Sequence, residues 1–162
     1  MNIMICSAKE AAHQLRAKPH HWHVVSLRCF EDRIEFEKVS QLAHLAKTMI
    51  VRRFDDIWVE EEGKVLPTKE DVETIIRHVQ EIYPSNLIVH CYAGVSRSTA
   101  IAYLLACLEK EPDDAIKMLN PMIHYPNELI VKLGSEILNN PRILEVYERE
   151  FGGDPFQSMM GQ

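Results

Sequence analysis

Short, continuous apolar runs alternate with segments of helical period through the first two thirds of the chain. "NIMICS", "WHVVSL", "MIVRRF" and "NLIVH" (residues 86–90) each have the length and β-branched content of a buried strand. Between them lie three helical patterns. Ser7 with Glu10 forms a capping box at the head of "SAKEAAHQLRA". "FEKVSQLAHLAKT" spaces Phe36, Val39, Leu42 and Ala43 at helical intervals. Thr68 with Asp71 opens "KEDVETIIRHVQEIY", whose Val72, Ile75, Ile76, Val79 and Ile82 mark one face, and Pro84 stops it. From Ser98 the pattern changes: Ile101, Ala102, Tyr103, Leu104, Leu105 and Leu108 make a helix apolar nearly all round, as a buried helix is. "DDAIKMLN", "NELIVKLGSEILN" and "PRILEVYEREF" predict three more helices. The expected fold is α/β: a mostly parallel central sheet of four to five strands, with helices on both faces in three layers. Residues 1–151 read as a single domain and 152–162, "GGDPFQSMMGQ", as a loose, flexible tail.

Composition narrows the function classes. The chain has 162 residues, 46% of them apolar and 26% charged, with a formal net charge of −6. An acidic balance argues against nucleic acid and against an anionic membrane as partner. It does not exclude a local positive pocket, because one arginine and a helix terminus hold an anion on an acidic protein. No run approaches the ~18 apolar residues of a membrane span, and no signal peptide is apparent. Cys6, Cys29, Cys91 and Cys107 form no CxxC pair, so reduced thiols in a cytoplasmic setting are expected. His20, His21 and His23 in "PHHWH" have no carboxylate or cysteine tied to them by spacing. They read as an entry turn into a strand, and the "EEE" at 60–62 reads as a solvated loop.

The chemistry concentrates where the fourth apolar run ends, in "HCYAGVSRST". A cysteine and an arginine six positions apart carry little weight alone. With nine arginines and four cysteines in the chain, that spacing arises by chance in roughly one such chain in five. The setting carries more. The segment joins a predicted buried strand to a predicted buried helix, and ligands of α/β folds bind beyond the carboxyl ends of strands. Ala93 and Gly94 are small enough for a tight curl. The backbone N–H groups over Tyr92, Ala93, Gly94, Val95, Ser96 and Arg97 can then turn inward as an anion nest at a helix N-terminus. Arg97 adds a planar grip on two phosphoryl oxygens. Cys91 at the mouth feels the same field, which lowers the pKa of a thiol and arms it as a nucleophile. The nucleotide-binding pattern GxxxxGK[ST] is absent.

"HCYAGVSRST" resembles the signature of the cysteine-dependent protein tyrosine phosphatases, and "AGVSRS" is closest to their compact dual-specificity branch. The resemblance is specific over 90–99, extends more weakly over about 49–138, and leaves the first 45 residues without a diagnostic motif. It implies that Cys91 attacks phosphorus to form a phosphocysteine. It implies too that Arg97 stabilises the transition state, that His90 orders the loop behind Cys91, and that Ser98 donates to the sulfur. A plain helix-cap role is the other reading of Ser98. Family members protonate the leaving oxygen from an Asp some 30–40 residues before the cysteine. In "FDDI", Asp56 lies 35 residues before Cys91 and matches that pattern, with Asp55 the open alternative. "HYPNELIVKL" resembles the family's segment whose Asn braces the phosphate loop. Asn127 therefore reads either as that brace or as the cap of a helix beginning at Glu128.

The implied activity is hydrolysis of a phosphomonoester, needing neither cofactor nor metal. The loop interior, Tyr-Ala-Gly-Val-Ser, carries no lysine of the kind that meets several phosphates in phosphoinositide phosphatases. That favours a single phosphomonoester: phosphotyrosine of a protein first, then phosphoserine and phosphothreonine. No stretch stands out as the aromatic lip of a strictly tyrosine-specific pocket. The alternatives are a phosphate-binding module without turnover, and a small-molecule or RNA 5′-phosphatase of the same chemistry, RNA being disfavoured by charge. The physiological substrate, the oligomeric state and any oxidation of Cys91 in partnership with Cys29 or Cys107 are not legible in the sequence.

Overall fold

A computed structural model describes residues 1–31 and 33–153. Four strands, β1 (Asn2–Ser7), β2 (His23–Arg28), β3 (Thr48–Arg53) and β4 (Asn86–Cys91), form one sheet in the order β1-β4-β2-β3. Every pairing is parallel, with Ser7 opposite Cys91 and Arg28 opposite Arg53 at the carboxyl edge. The central strands β2 and β4 are buried on both faces, which is why they read as continuous apolar runs, whereas the edge strands β1 and β3 are partly exposed. The expected α/β sheet is thus present with four strands, all parallel.

The helices divide between the faces. α1 (Ala8–Ala17) and α2 (Ile34–Gln41) cover one, where Ala11, Leu15, Phe36 and Val39 pack on Val24 and Ile88. α3 (Lys69–Ile82), α4 (Arg97–Ala106), α6 (Glu128–Ile137) and α7 (Arg142–Phe151) cover the other, where Ile75, Ile101, Leu104 and Ile143 pack on Val25, Leu27 and Val89. All ten residues of α4 are buried, so the helix that follows the nucleophile candidate is held from every side. Both capping boxes form: Ser7 Oγ accepts from the Glu10 backbone at 3.2 Å, and Thr68 Oγ1 from that of Asp71 at 3.2 Å.

Two helical patterns break earlier than expected. "FEKVSQLAHLAKT" is helical only to Gln41, then tightens into a 3-10 turn over Ala43–Leu45. "DDAIKMLN" is a single turn, α5 (Pro112–Ala115), followed by a 3-10 turn over Ile116–Met118. Both segments are short and lead directly into a strand or a crossing loop, so the 3-10 turn ends them where the chain must change direction. Of the expected loose tail, 152–162, residues 154–162 lie outside the described residues. Among the described residues no helix is long and apolar enough to cross a membrane.

Candidate active site

The site lies at the carboxyl edge of the sheet, where β4 ends at Cys91 and α4 begins at Arg97. The segment between them curls because its carbonyls are claimed from outside. The Tyr92 carbonyl accepts from the Ala8 amide at 3.1 Å, and that of Val95 from the Tyr125 amide at 2.9 Å. Buried Thr99 donates its hydroxyl to the carbonyls of Val95 and Ser96 at 2.8 and 2.7 Å. With those carbonyls turned outward, the loop's N–H groups face the interior of the curl. Gly94 makes the curl possible. Its φ is +76°, and a Cβ there would sit 2.6 Å from the Cys6 carbonyl carbon of β1. Both the backbone angle and the close approach demand glycine.

Cys91 is 3% exposed, with its sulfur at the floor of the curl. Burial alone pushes a thiol up. The Ser98 hydroxyl at 3.2 Å, the Arg97 charge, and the backbone N–H groups of Ser98 and Gly94, the latter at 3.3 Å from Sγ, outweigh it and hold Cys91 below the ordinary thiol value. Cys6 and Cys107 go the opposite way. Burial first, then the charges of Glu10 and Cys91, push Cys6 to about 12, and burial lifts Cys107 to about 12. All four cysteines are free.

Arg97 is buried and donates from Nη1 to the Phe54 carbonyl at 2.8 Å. Its Nε has no partner among the described residues. The Nε–Nη2 side of the guanidinium is therefore the side available to two oxygens of a tetrahedral anion. The same Phe54 contact pins the start of the loop that carries the two aspartates.

Those aspartates separate cleanly. Asp55 is buried and folds back on its own loop: its Oδ2 accepts from the Val65 amide at 2.7 Å, and its own amide donates to the Val65 carbonyl at 2.7 Å. Asp56 is exposed and reaches the phosphate loop, its Oδ1 accepting from Ser96 Oγ at 2.7 Å and Asn127 Nδ2 at 3.0 Å. Asn127 fills the cap role, and its side-chain amide turns to the aspartate loop rather than to the phosphate loop. Its Oδ1 caps α6 by accepting from the Ile130 amide at 3.1 Å, while its Nδ2 donates to Asp56 and to the Ile57 carbonyl at 3.1 Å. The side-chain brace thus runs to the aspartate loop, and only the Asn127 amide touches the phosphate loop, at the Ser96 carbonyl, 3.3 Å away. Ser98 lies inside the first turn of α4, where Ser96 is the N-terminal boundary residue, so the plain cap reading of Ser98 does not apply.

His90 is fully buried beneath the loop, its Nδ1 3.1 Å from the Cys91 carbonyl. Burial holds its pKa down at about 4, the neighbouring arginines 28 and 97 adding to the effect. The ring is neutral at pH 7, so Nδ1–H donates to that carbonyl.

Three features escaped the sequence. Thr99 and the hydroxyl of Ser96, whose backbone alone was expected to serve the nest, are ordinary polar groups at a helix start, yet they hold the loop's carbonyls and Asp56. The third is a set of exposed rings: Tyr92, Trp58 (60%) and Tyr125 (59%) belong to the phosphate loop and to the two segments bonded to it. They come from three distant stretches, so no single stretch announced an aromatic lip.

Neither a protein-family model nor a curated protein matches the chain. Solved structures do. The Cydia pomonella PTP-2 phosphatase is 18% identical, with 84% of this chain and 85% of that one covered and a TM-score of 0.56. Human DUSP28 is 15% identical over 91% and 94%, with a TM-score of 0.54. PTPMT1 in complex with PI(5)P is 14% identical over 91% and 94%, with a TM-score of 0.53. The chain has the fold of the cysteine-dependent tyrosine and dual-specificity phosphatases.

Proposed function

We propose that the protein is a cysteine-based phosphomonoesterase acting on phosphotyrosine, and secondarily phosphoserine and phosphothreonine, of proteins in a cytoplasmic setting. The observation that carries this reading is the meeting of two groups of one loop with a carboxylate from another part of the chain. A thiol held low in pKa, an arginine with one face of its guanidinium free, and an exposed carboxylate converge on one anion nest. The fold likeness supports it independently.

The chemistry follows from the geometry. The Cys91 thiolate attacks phosphorus as the ester oxygen leaves, forming an S–P bond and breaking the O–P bond. Arg97 and the inward N–H groups take the charge that spreads over the three equatorial oxygens. Asp56 donates its proton to the leaving oxygen. Its Oδ1 is occupied by Ser96 and Asn127, so Oδ2 holds that proton. In the second step the same carboxylate accepts a proton from water as it attacks phosphorus, and sulfur leaves with the Ser98 hydroxyl beside it.

Exposed rings on the segments around the nest, Tyr92, Trp58 and Tyr125, favour an aromatic phosphoester over a short one, because such rings suit contact with a tyrosyl side chain. The PTPMT1 complex with PI(5)P makes a phosphoinositide the second reading. The absence of lysine between Cys91 and Arg97 weighs against it. Turnover of phosphotyrosine, phosphothreonine and phosphoinositide substrates tests the choice: phosphotyrosine peptides should give the highest kcat/KM, and a phosphoinositide maximum would replace the reading. Orthovanadate should compete with substrate, and EDTA should leave activity unchanged.

A further inference from the structure

β1 is an edge strand, and its outer side is open. It pairs in parallel with β4 alone, from Asn2 opposite Asn86 to Ser7 opposite Cys91. The Asn2 amide donates to the Ser85 carbonyl at 2.8 Å and the Ala8 amide to that of Tyr92 at 3.1 Å, so the even-numbered residues turn their backbone groups to β4. Ile3, Ile5 and Ser7 turn theirs away. The Ser7 amide donates to Glu10 Oε2 at 3.0 Å, and its carbonyl belongs to the first turn of α1, as that of a helix N-cap does. The amides and carbonyls of Ile3 and Ile5 have no partner among the described residues. Edge strands are ordinarily guarded by charge or proline. β3, the other edge, carries Arg52 and Arg53, whereas Asn2–Ser7 carries neither a charge nor a proline.

A cleft flanks the open edge on each face of the sheet. On the α1 side, where Met4 packs, about 800 Å³ lies between residues 4–7 and Lys9, Glu10 and His13 of α1. On the α4 side, where Ile3 packs, about 390 Å³ lies between Ile3 and Lys110, Asp114 and Lys117. Side chains of a strand alternate between two faces, so a strand laid on β1 has room for both of its rows. The carboxylates here are already engaged: Glu10 by Ser7, Asp114 by Lys117 at 2.7 Å, and Glu109 by the Met1 ammonium at 3.1 Å. Lys9 and Lys110, both exposed, form no ion pair among the described residues. The open charges are therefore positive on both sides, which suits an acidic strand. A second copy fits worse. Two-fold pairing of β1 edges sets α1 beside α1, where exposed Lys9, Arg16 and Lys18 outnumber Glu10. Ala93 of the phosphate loop borders the larger cleft. A strand added to β1 lies about 10 Å from β4, a distance that about three extended residues span. We propose that the free edge of β1 takes an extended, acidic segment of the substrate protein as a fifth strand, about three residues from the one whose phosphate enters the nest. The inference rests on the phosphatase reading and adds how the substrate chain is held.

Calorimetric binding to the Cys91→Ser protein tests this, in parallel with kcat/KM of the wild type. The probes are a phosphotyrosine peptide with Gly-Ser flanks, and the same peptide with Glu-Val-Glu-Val three residues before or three residues after the phosphotyrosine. One of the two orders should bind about tenfold tighter than the plain peptide, since an added strand runs in one direction only. N-methylating one alternating pair of amides in that segment should abolish the gain, and methylating the other pair should leave it, because only alternate amides face β1. Hydrogen exchange of the Ile3 and Ile5 amides should slow about tenfold or more on binding, while that of Met4, already turned to β4, stays as it was. Ile5→Pro removes an outward amide without touching the β4 pairing, and should cut the gain to under about threefold. Lys9→Glu with Lys110→Glu should do the same and should favour a Lys-Val-Lys-Val segment instead. Equal affinity for all the peptides would overturn the proposal, as would a gain that survives both methylation patterns. A dimer in sedimentation whose Ile3 and Ile5 amides are protected without peptide would give the edge to a second copy, and overturn it. Tighter binding after Phe156→Ala with Met159→Ala would give the edge to the chain's own tail, and overturn it too. The two readings fail separately. Wild-type turnover without a gain from the acidic segment sinks only this inference, whereas a gain in binding without turnover sinks the phosphatase reading.

Discussion

Gly94 is the residue on which the site turns most sharply. Replacing it with alanine asks an L side chain to adopt φ +76° and to occupy space 2.6 Å from β1 backbone. The strain alone costs about 1–3 kcal/mol, and the curl must shift to relieve the clash. Gly94→Ala should therefore lower the melting temperature and cut kcat by a hundredfold or so, since a shift of about 1 Å in a reacting group is that costly. A variant with wild-type kcat would contradict the account of the curl. The two aspartates can be told apart in the same way. Asp56→Asn should depress kcat far more on a phenyl phosphate with a poor leaving group than on p-nitrophenyl phosphate, which needs little protonation. Asp55→Asn should lower stability and affect both substrates alike, because Asp55 holds the loop through the Val65 amide. Sequence alone left this pair open. Adjacent carboxylates on a loop have no periodicity to say which turns inward, and the ten-residue reach from Asp55 to Val65 is settled only by the closed loop.

At the scale of elements, the site is a junction of five: the ends of β1 and β4, the start of α4, the aspartate loop and the start of α6. Asn127 links the last two, and its cap and its brace can be separated. Asn127→Ser keeps an oxygen to accept from the Ile130 amide and loses the amide that reaches Asp56 and Ile57. Stability should fall by less than about 1 kcal/mol, while Asn127→Ala loses the cap as well and costs about 1–2. Both should slow the poor leaving group. Equal activity of Asn127→Ser and wild type on that substrate would reduce Asn127 to a cap. The elements themselves were the most legible part of the sequence. The capping boxes at Ser7 and Thr68 and the all-apolar α4 carry local signals, whereas α2 and α5 break into 3-10 turns because the chain must change direction beyond them. The open edge of β1 was invisible for a related reason. "NIMICS" reads like the other apolar runs, and only the strand order places it outermost.

For the whole molecule, the buried His90 ties stability to pH. In the unfolded chain this ring takes a proton near 6.5; in the fold, burial holds it at about 4. Between those values the unfolded state binds more protons, so stability rises with pH there and is lost as pH falls from about 6.5 to about 4. The loss amounts to roughly 3 kcal/mol from this group. Urea titrations across that range should show the slope, and His90→Gln, which does not titrate, should flatten it; an unchanged slope would place the acid sensitivity elsewhere. Activity follows a different group. Cys91 is held below the ordinary thiol value, so its thiolate persists below the usual thiol range and is lost as pH falls through the lowered value. The central claim is that this thiolate carries the phosphoryl group between substrate and water. Rapid acid quench of the protein with a radiolabelled phosphotyrosine peptide, followed by peptide mapping, tests it most directly. The account predicts a label on the Cys91 peptide that is absent in Cys91→Ser along with turnover; a label on another residue, or turnover by Cys91→Ser, would contradict it.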